Sequence, residues 1–209
     1  MVIGIIMNVS EQWDLAVREL SNSDSKLGLI ISNYKGERIK LKKDGFFTLA
    51  RAIIGQQISV KAAETIWKRL EKKCKGNVHP KKILECSKEE LGKIGLSKQK
   101  INYLQNIAQS KVLDTKWENL SDEMAIDLLC DIKGVGVWTA EMFLIFHLAR
   151  PNILPIGDIG LKKAIEINYN KGQKVGKEML EELKRKWEPW CSVATWYLWR
   201  SLDPKPIEY

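Results

Sequence analysis

The stretch that decides the fold is Ile132–Gly160, IKGVGVWTAEMFLIFHLARPNILPIGDIG. Two glycines, Gly134 and Gly136, are separated by one valine and lead directly into an apolar run. Because glycine adopts backbone conformations that a side chain forbids, this spacing predicts a tight hairpin. We expect a helix over residues 137–149, whose unpaired first-turn amides point out of the hairpin and form an anion site. A single carboxylate, Asp158, follows beyond a Pro/Gly loop.

Length and composition bound the class of protein. A chain of 209 residues with 44% hydrophobic content buries a sizeable core, as one large domain or two small lobes. The net charge of +8 and the pI near 9.2 favour a polyanionic partner. A basic balance does not by itself separate nucleic-acid binders from other basic proteins.

Cysteine usage and the N-terminal residues indicate the cellular setting. Without any Cys-x-x-Cys pair, the cysteines argue against a zinc or iron–sulfur site and favour reduced thiols inside a cell. The apolar first residues lack the basic segment and cleavage site of a signal peptide, and no run could span a bilayer. We expect a soluble, cytoplasmic protein without membrane contact. The four cysteines are Cys74, Cys86, Cys130 and Cys191.

Helical periodicity dominates the chain and predicts an all-α fold of about ten helices. Segment 27–43 is the least helical part and is expected to be extended or looped. Serines stand at five of the expected helix starts, and Ser87 is paired with Glu90 as a capping box. These serines are Ser10, Ser59, Ser87, Ser97 and Ser121. Further helices are expected from about Phe46, near 159–168, near 175–187, and after Pro189.

Residues 121–143 read as two helices joined by the hairpin 132–136. Amides at the start of the second helix can bind a phosphate without reading the base sequence, and the helix dipole adds to the attraction. Carbonyl groups left unpaired in the turn could hold a monovalent cation that bridges to the phosphate. The alternative is a tight turn that only joins two core helices, which a short Gly-x-Gly motif favours when it stands alone.

Three other stretches accompany the hairpin and the aspartate. They are IIGQQISVKAAETIWKRL at 53–70, LGKIGLSKQKINYLQNIA at 91–108 and WEPWCSVATWYLWR at 187–200. Taken with the hairpin and the Gly/Pro-Asp loop, they resemble the helix–hairpin–helix Gly/Pro-Asp DNA glycosylase superfamily. Within it they are most similar to the alkylbase branch, the 3-methyladenine DNA glycosylases II.

The resemblance implies an architecture as well as an activity. The whole chain, 1–209, is expected to form one helical glycosylase unit with two lobes and a cleft between them. One lobe would span 46–149 and carry the hairpin, and the other would combine 1–45 with 150–209.

The resemblance places the catalytic carboxylate of the family at Asp158, although an aspartate in GDIG is by itself more typical of a helix N-cap. Alkylation at N3 or N7 makes a purine cationic and weakens its glycosidic bond, so the base can leave without a strong general acid. A fixed carboxylate then stabilises the positive charge that develops on the sugar, and orients or deprotonates the attacking water. Ordinary glycoside hydrolases need an acid–base pair instead.

The position two residues after the second glycine bears on the reaction type. Bifunctional members of the family carry a nucleophilic lysine there, whereas this chain has Trp138. Without an amine, Schiff-base chemistry is disfavoured and a monofunctional hydrolase is expected. The iron–sulfur ligands of some relatives are also missing, so no cofactor should be required. The one candidate ion is Na⁺ or K⁺ on the backbone carbonyls of Cys130, Ile132 and Val135.

An everted cationic purine needs an electron-rich pocket, for which tryptophan is the best ring. The resemblance places Trp138 and Trp199 in that pocket, although helical spacing also allows Trp199 a core role. Met142 lies one turn after Trp138 and is expected on the same face, where some members have tyrosine.

The loop GQQIS is expected to enter the duplex. Gln57 stands at the position of the wedge that fills the gap left by the everted base. Gln56 would contact the DNA backbone or the abasic edge, or else be an exposed helix end with no such role. The other expected DNA-binding residues are Ser59, Lys133, Gly134, Val135, Gly136 and Thr139.

These expectations combine into one hypothesis. The protein would be a monomeric, monofunctional glycosylase that removes alkylated purines from double-stranded DNA and leaves an abasic site. It would act in a prokaryotic cytoplasm at the nucleoid, or in a eukaryotic nucleus. The alternatives are a glycosylase for oxidised or deaminated purines, and a non-catalytic helix–hairpin–helix DNA-binding module.

Overall fold

The computed structural model describes residues 9–42 and 44–203, and every regular element among them is helical. This part of the chain holds twelve α-helices, two short 3-10 turns and no strand. The all-α prediction is therefore confirmed. Within the same residues, no helix combines the length and the apolar character that a membrane span would need.

The described residues group by their contacts into two compact units. We call residues 41–148 the central unit, and residues 9–40 with 149–203 the terminal unit. The limits expected from the resemblance, 46–149 and 1–45 plus 150–209, differ from these by a few residues.

The central unit contains seven helices, most of which begin at a side-chain cap. The serines expected to start helices here are confirmed as caps, and the capping box of Ser87 with Glu90 forms as expected. Gly95 follows the end of the sixth helix with a φ of +104°, which favours glycine. The helices are α3 Gly45–Gly55, α4 Val60–Lys73, α5 Pro80–Glu85, α6 Lys88–Lys93, α7 Lys98–Gln109, α8 Asp122–Cys130 and α9 Val137–Phe146.

Helices α3 and α9 form the core of the central unit. Helix α9 is apolar on all sides, and its residues 139–146 are all buried. Its approach to α3 depends on Gly45, since a Cβ there would lie 2.8 Å from the Phe143 ring. Helix α9 ends at Phe146, three residues before the expected end, and the chain leaves with Ala149 at a φ of +56°.

The terminal unit contains five helices. The last of them is buried along its whole length, so it forms the core of this unit. The helices are α1 Val9–Ser23, α2 Ser25–Asn33, α10 Ile159–Tyr169, α11 Lys177–Trp187 and α12 Cys191–Arg200.

Two expectations for the N-terminal segment are wrong. Part of segment 27–43 lies in helix α2, because Asp24 caps the first turn and three apolar side chains at helical spacing are buried: Leu27, Ile30 and Ile31. Ser10 does not cap α1, which already includes it; its hydroxyl accepts a hydrogen bond from Arg38.

Asp24 is the polar centre of the terminal unit. It is 1% exposed, and burial alone would raise the pKa of its carboxyl group. Its hydrogen bonds outweigh this effect and lower the pKa, so the group is held as a carboxylate. Its five donors are the amides of Lys26 and Leu27, the Tyr169 hydroxyl at 2.9 Å, the Trp187 indole at 3.0 Å and the Lys186 ammonium at 3.3 Å.

Candidate active site

Asp158 stands at the N-cap of α10, after a turn in which its own amide donates to the Pro155 carbonyl at 2.8 Å. Its Oδ1 accepts a hydrogen bond from the Leu161 amide at 2.5 Å. The capping role is therefore present. A capped carboxylate is fixed relative to its helix, so capping and catalysis are compatible uses of the same side chain.

The same oxygen of Asp158 has a second donor. The indole Nε1–H of Trp199, on α12, donates to Oδ1 at 2.8 Å. Trp199 is 4% exposed, so most of its ring is packed inside the terminal unit. Trp199, expected in the base pocket, thus directs its polar atom at the carboxylate. Two donors on one oxygen restrict the rotation of the carboxylate.

Gly160 makes room for this pair. A Cβ at Gly160 would lie 3.2 Å from Asp158 Oδ1 and 3.5 Å from Cδ1 of Trp199. The first distance is short for a methyl group and the second is an ordinary van der Waals contact, so a side chain here would press on the carboxylate and pack against the indole.

Two exposed aliphatic residues flank Asp158 in the chain. Ile156 is 54% exposed and Ile159 is 84% exposed, one on each side of the half-buried aspartate.

In the central unit, the two hairpin glycines have different roles. Gly134 has a φ of +108°, and a Cβ there would lie 2.2 Å from the Tyr103 ring, so both backbone and packing require glycine. Gly136 is the N-cap of α9 with an ordinary extended backbone (φ −102°, ψ 176°), so the expectation of a forbidden conformation is wrong there. No atom lies within 4 Å of the Cβ position of Gly136, and no side chain caps α9, which leaves an open approach to its first-turn amides.

The structure changes the expected roles of two hairpin residues. Thr139 is 1% exposed, and its hydroxyl accepts a hydrogen bond from Gln56 Nε2 at 2.9 Å, so its side chain braces the protein instead of facing DNA. The amide of Val135 donates to the Ile132 carbonyl at 2.9 Å and its side chain is buried, so the turn itself uses this amide. Lys133 is exposed, and its carbonyl accepts a hydrogen bond from Asn106 at 2.9 Å.

The loop that carries the expected wedge residue, Gln57, follows α3. Gln57 is exposed and has a φ of +57°, a conformation that residues other than glycine rarely adopt. Ser59 is also exposed and caps α4 through the Ala62 amide, so its hydroxyl has a structural partner.

The expected base pocket remains a prediction. Trp138 is half-buried, as a residue that offers one ring face would be. Met142 has 0% exposure, and the structure therefore gives it no surface that a base could contact.

Sequence reasoning missed three residues that hold the hairpin region, all on α7. Tyr103 packs on Gly134, Asn106 binds the Lys133 carbonyl, and Lys100 binds the end of α3. They stand three residues apart, which places them on one face of a helix. This spacing is the sequence signal that could have identified them as a group.

Comparison with known proteins identifies the family to which the chain is similar. A family model described as HhH-GPD superfamily base excision DNA repair protein matches residues 50–189. DNA-3-methyladenine glycosylase 1 of Schizosaccharomyces pombe is 30% identical over 189 residues, which cover 87% of this chain and 83% of that protein.

Solved structures show the same fold. The 3-methyladenine DNA glycosylase of Schizosaccharomyces pombe in complex with abasic DNA has a TM-score of 0.79 and 31% identity, over 89% of this chain and 95% of that one. The DNA-3-methyladenine glycosidase of Bacillus halodurans has a TM-score of 0.72 and 34% identity, over 89% and 88% of the two chains.

Proposed function

Because the chain belongs to the HhH-GPD superfamily of base excision DNA repair proteins, we propose that it is a monofunctional DNA glycosylase for alkylated purines. It hydrolyses the N-glycosidic bond of 3-methyladenine, 7-methylguanine and related bases, and leaves an abasic site. The observation that carries this proposal is the carboxylate of Asp158, held on one oxygen by the Leu161 amide and the Trp199 indole.

The chemistry asked of Asp158 is electrostatic. As the cationic purine leaves, its sugar becomes positively charged, and a carboxylate fixed beside C1′ stabilises that charge. The two N–H donors hold the carboxylate before the reaction begins, so little reorganisation is needed. The same carboxylate can orient the water that attacks C1′ and accept its proton.

The central unit supplies the contacts to the DNA backbone. The exposed start of α9 at Gly136 offers amides to a phosphate, and the exposed Lys133 adds positive charge next to it. With tryptophan at position 138 in place of an amine, water is the nucleophile and the strand is not nicked.

A monovalent cation fits the hairpin as a supplement to these amides. The ion would rest on the backbone carbonyls of Cys130, Ile132 and Val135, at the turn between α8 and α9. The Ile132 carbonyl accepts one hydrogen bond and keeps a second lone pair for an ion. Bound Na⁺ or K⁺ would add positive charge beside the phosphate.

The substrate is double-stranded damaged DNA, and the protein acts on it as a monomer. Its place of action is therefore the chromosome, at the nucleoid of a prokaryote or in the nucleus of a eukaryote.

The experiment that tests the function is base release from four duplexes, which carry 3-methyladenine, 7-methylguanine, 8-oxoguanine or hypoxanthine. We expect release of the two alkylated bases without strand cleavage. Release of 8-oxoguanine alone, with nicking, would contradict the assignment. Duplex binding without release of any base would instead identify a non-catalytic DNA-binding module.

A further inference from the structure

Gln56 connects two segments of the central unit that the proposed function assigns to DNA. It is the C-cap of α3 and comes directly before the exposed Gln57. Its side-chain amide donates to the Thr139 hydroxyl at 2.9 Å and lies 3.4 Å from the Gly134 carbonyl oxygen. The donors of Gln56 are thus directed at the hairpin and not at solvent, contrary to the expected DNA contact.

The backbone around Gln56 is held from the other side by Lys100. The Lys100 ammonium donates to the Ile54 carbonyl at 2.7 Å and to the Gln56 carbonyl at 2.8 Å. These carbonyls end α3 and have no partner within the helix. Lys100 is half-buried in this arrangement, and the burial lowers the pKa of its ammonium.

The contacts of Gln56 also orient the next residue, Gln57. It follows a residue whose main chain is fixed by Lys100 and whose side chain is fixed by the hairpin. Its own φ of +57° is unfavourable for a side chain and persists only where neighbouring contacts enforce it. The contacts of Gln56 therefore determine the direction in which the exposed side chain of Gln57 points.

We propose that Gln56 is a positioning residue that sets a fixed spacing between the wedge loop, residues 57–59, and the hairpin, residues 132–136. The hairpin holds the phosphate backbone while the wedge fills the gap left by the everted base, so their spacing decides whether eversion is supported. This inference rests on the proposed function, in which the hairpin and wedge loop bind DNA.

The proposal predicts different effects on base release from two kinds of substrate, double-stranded and single-stranded DNA. Eversion from an intact pair requires unpairing and unstacking, whereas a lesion in a single strand needs neither. A spacing defect should therefore slow base release from a duplex much more than from a single strand. A general loss of structure would slow both equally.

The test uses Gln56→Ala and Thr139→Val, which remove the donor and the acceptor of the same hydrogen bond. We expect each variant to release 7-methylguanine from a duplex about tenfold or more slowly in single turnover, with less than about a threefold loss on single-stranded DNA. The double variant should be no slower than Gln56→Ala alone, because Gln56→Ala already removes the hydrogen bond to Thr139 together with the contact to the Gly134 carbonyl. Thr139→Ser, which keeps the hydroxyl, should restore the rate.

Gln109→Ala is the matched control, since Gln109 is an exposed glutamine at the end of α7. It should behave as the unaltered protein. Additive losses in the double variant would show that Gln56 acts through a contact outside the hairpin, such as DNA, and would overturn the proposal. If the unaltered protein releases no alkylated base, the proposed function itself fails; normal variants of an active enzyme refute only the positioning role.

Discussion

At the scale of single residues, the proposed chemistry depends on the orientation of Asp158. The resemblance directs attention to Trp199 as a surface for the base, but its nitrogen donates to the carboxylate and its ring is largely buried. An aspartate 41 residues earlier in the chain therefore depends on this tryptophan for its direction. In the proposed function, Trp199 is therefore a positioning residue for Asp158.

Trp199→Phe tests this role, because phenylalanine keeps an aromatic ring and removes the N–H donor. We expect the single-turnover rate of base release to fall by about tenfold or more, since a charge-assisted hydrogen bond is worth about 1.5–3 kcal/mol. Affinity for an abasic duplex should change little. A phenylalanine variant with the normal rate would show that only the ring matters.

Gly160→Ala tests the space around the same pair. Alanine is favoured over glycine in a helix by about 0.5–1 kcal/mol, so the variant should unfold at the same or a higher temperature. Its methyl group would lie 3.2 Å from Oδ1 of Asp158 and should displace the carboxylate. We expect slower base release from a protein that is no less stable. An unchanged rate would mean that the position of the carboxylate tolerates such a shift.

At the scale of the element, the two glycines of the hairpin have different roles, one in the stability of the fold and the other in the proposed binding of a phosphate. Gly134 is required by the backbone and by Tyr103, whereas Gly136 is required by neither. Glycine at 136 leaves the start of α9 open, and this suits the close approach of a phosphate.

The two glycines therefore form a matched pair of variants. Gly134→Ala should lower the free energy of unfolding by about 1–3 kcal/mol, through the positive φ and the contact with Tyr103. Gly136→Ala should lower it by less, about 0.5–1 kcal/mol, because alanine is a poorer N-cap than glycine, and should weaken duplex binding. Chemical denaturation and a salt-dependent binding titration measure the two effects. Equal losses of stability would contradict the assignment of separate roles.

Local signals predicted most elements, and the helix that was missed also begins at a local signal. Ser59 and Ser121 cap their helices as expected, because a cap is decided within four residues. Helix α2 was missed because its start depends on Asp24, outside the segment judged extended.

At the scale of the whole molecule, hydrogen bonds to Asp24 connect the N-terminal helices α1 and α2 to the helices α10 and α11, which follow Asp158. Its carboxylate, between α1 and α2, receives hydrogen bonds from Tyr169 on α10 and from Trp187 on α11. These partners lie 145 and 163 residues away in sequence, and no local pattern identifies them. For the same reason the pairing of Gln56 with Thr139 could not be read from the chain.

Asp24 should make stability depend on acid. The folded state lowers the pKa of its carboxyl group below the ordinary 3.8, so its contribution is fully present above that value. The contribution is lost as the pH falls through the lower folded value. Asp24→Asn should destabilise the protein by about 2–4 kcal/mol at neutral pH and flatten the decline in acid. Urea unfolding across this range measures both; a variant with the same acid slope would contradict the assignment.

The most direct measurement is single-turnover release of 7-methylguanine by Asp158→Asn, with affinity for an abasic duplex measured in parallel. Asparagine caps a helix as well as aspartate does, so the start of α10 should be kept while the negative charge is lost. We predict a rate at least about a hundredfold lower, with affinity within about threefold of normal. An asparagine variant that releases the base at the normal rate would contradict the central role of the carboxylate.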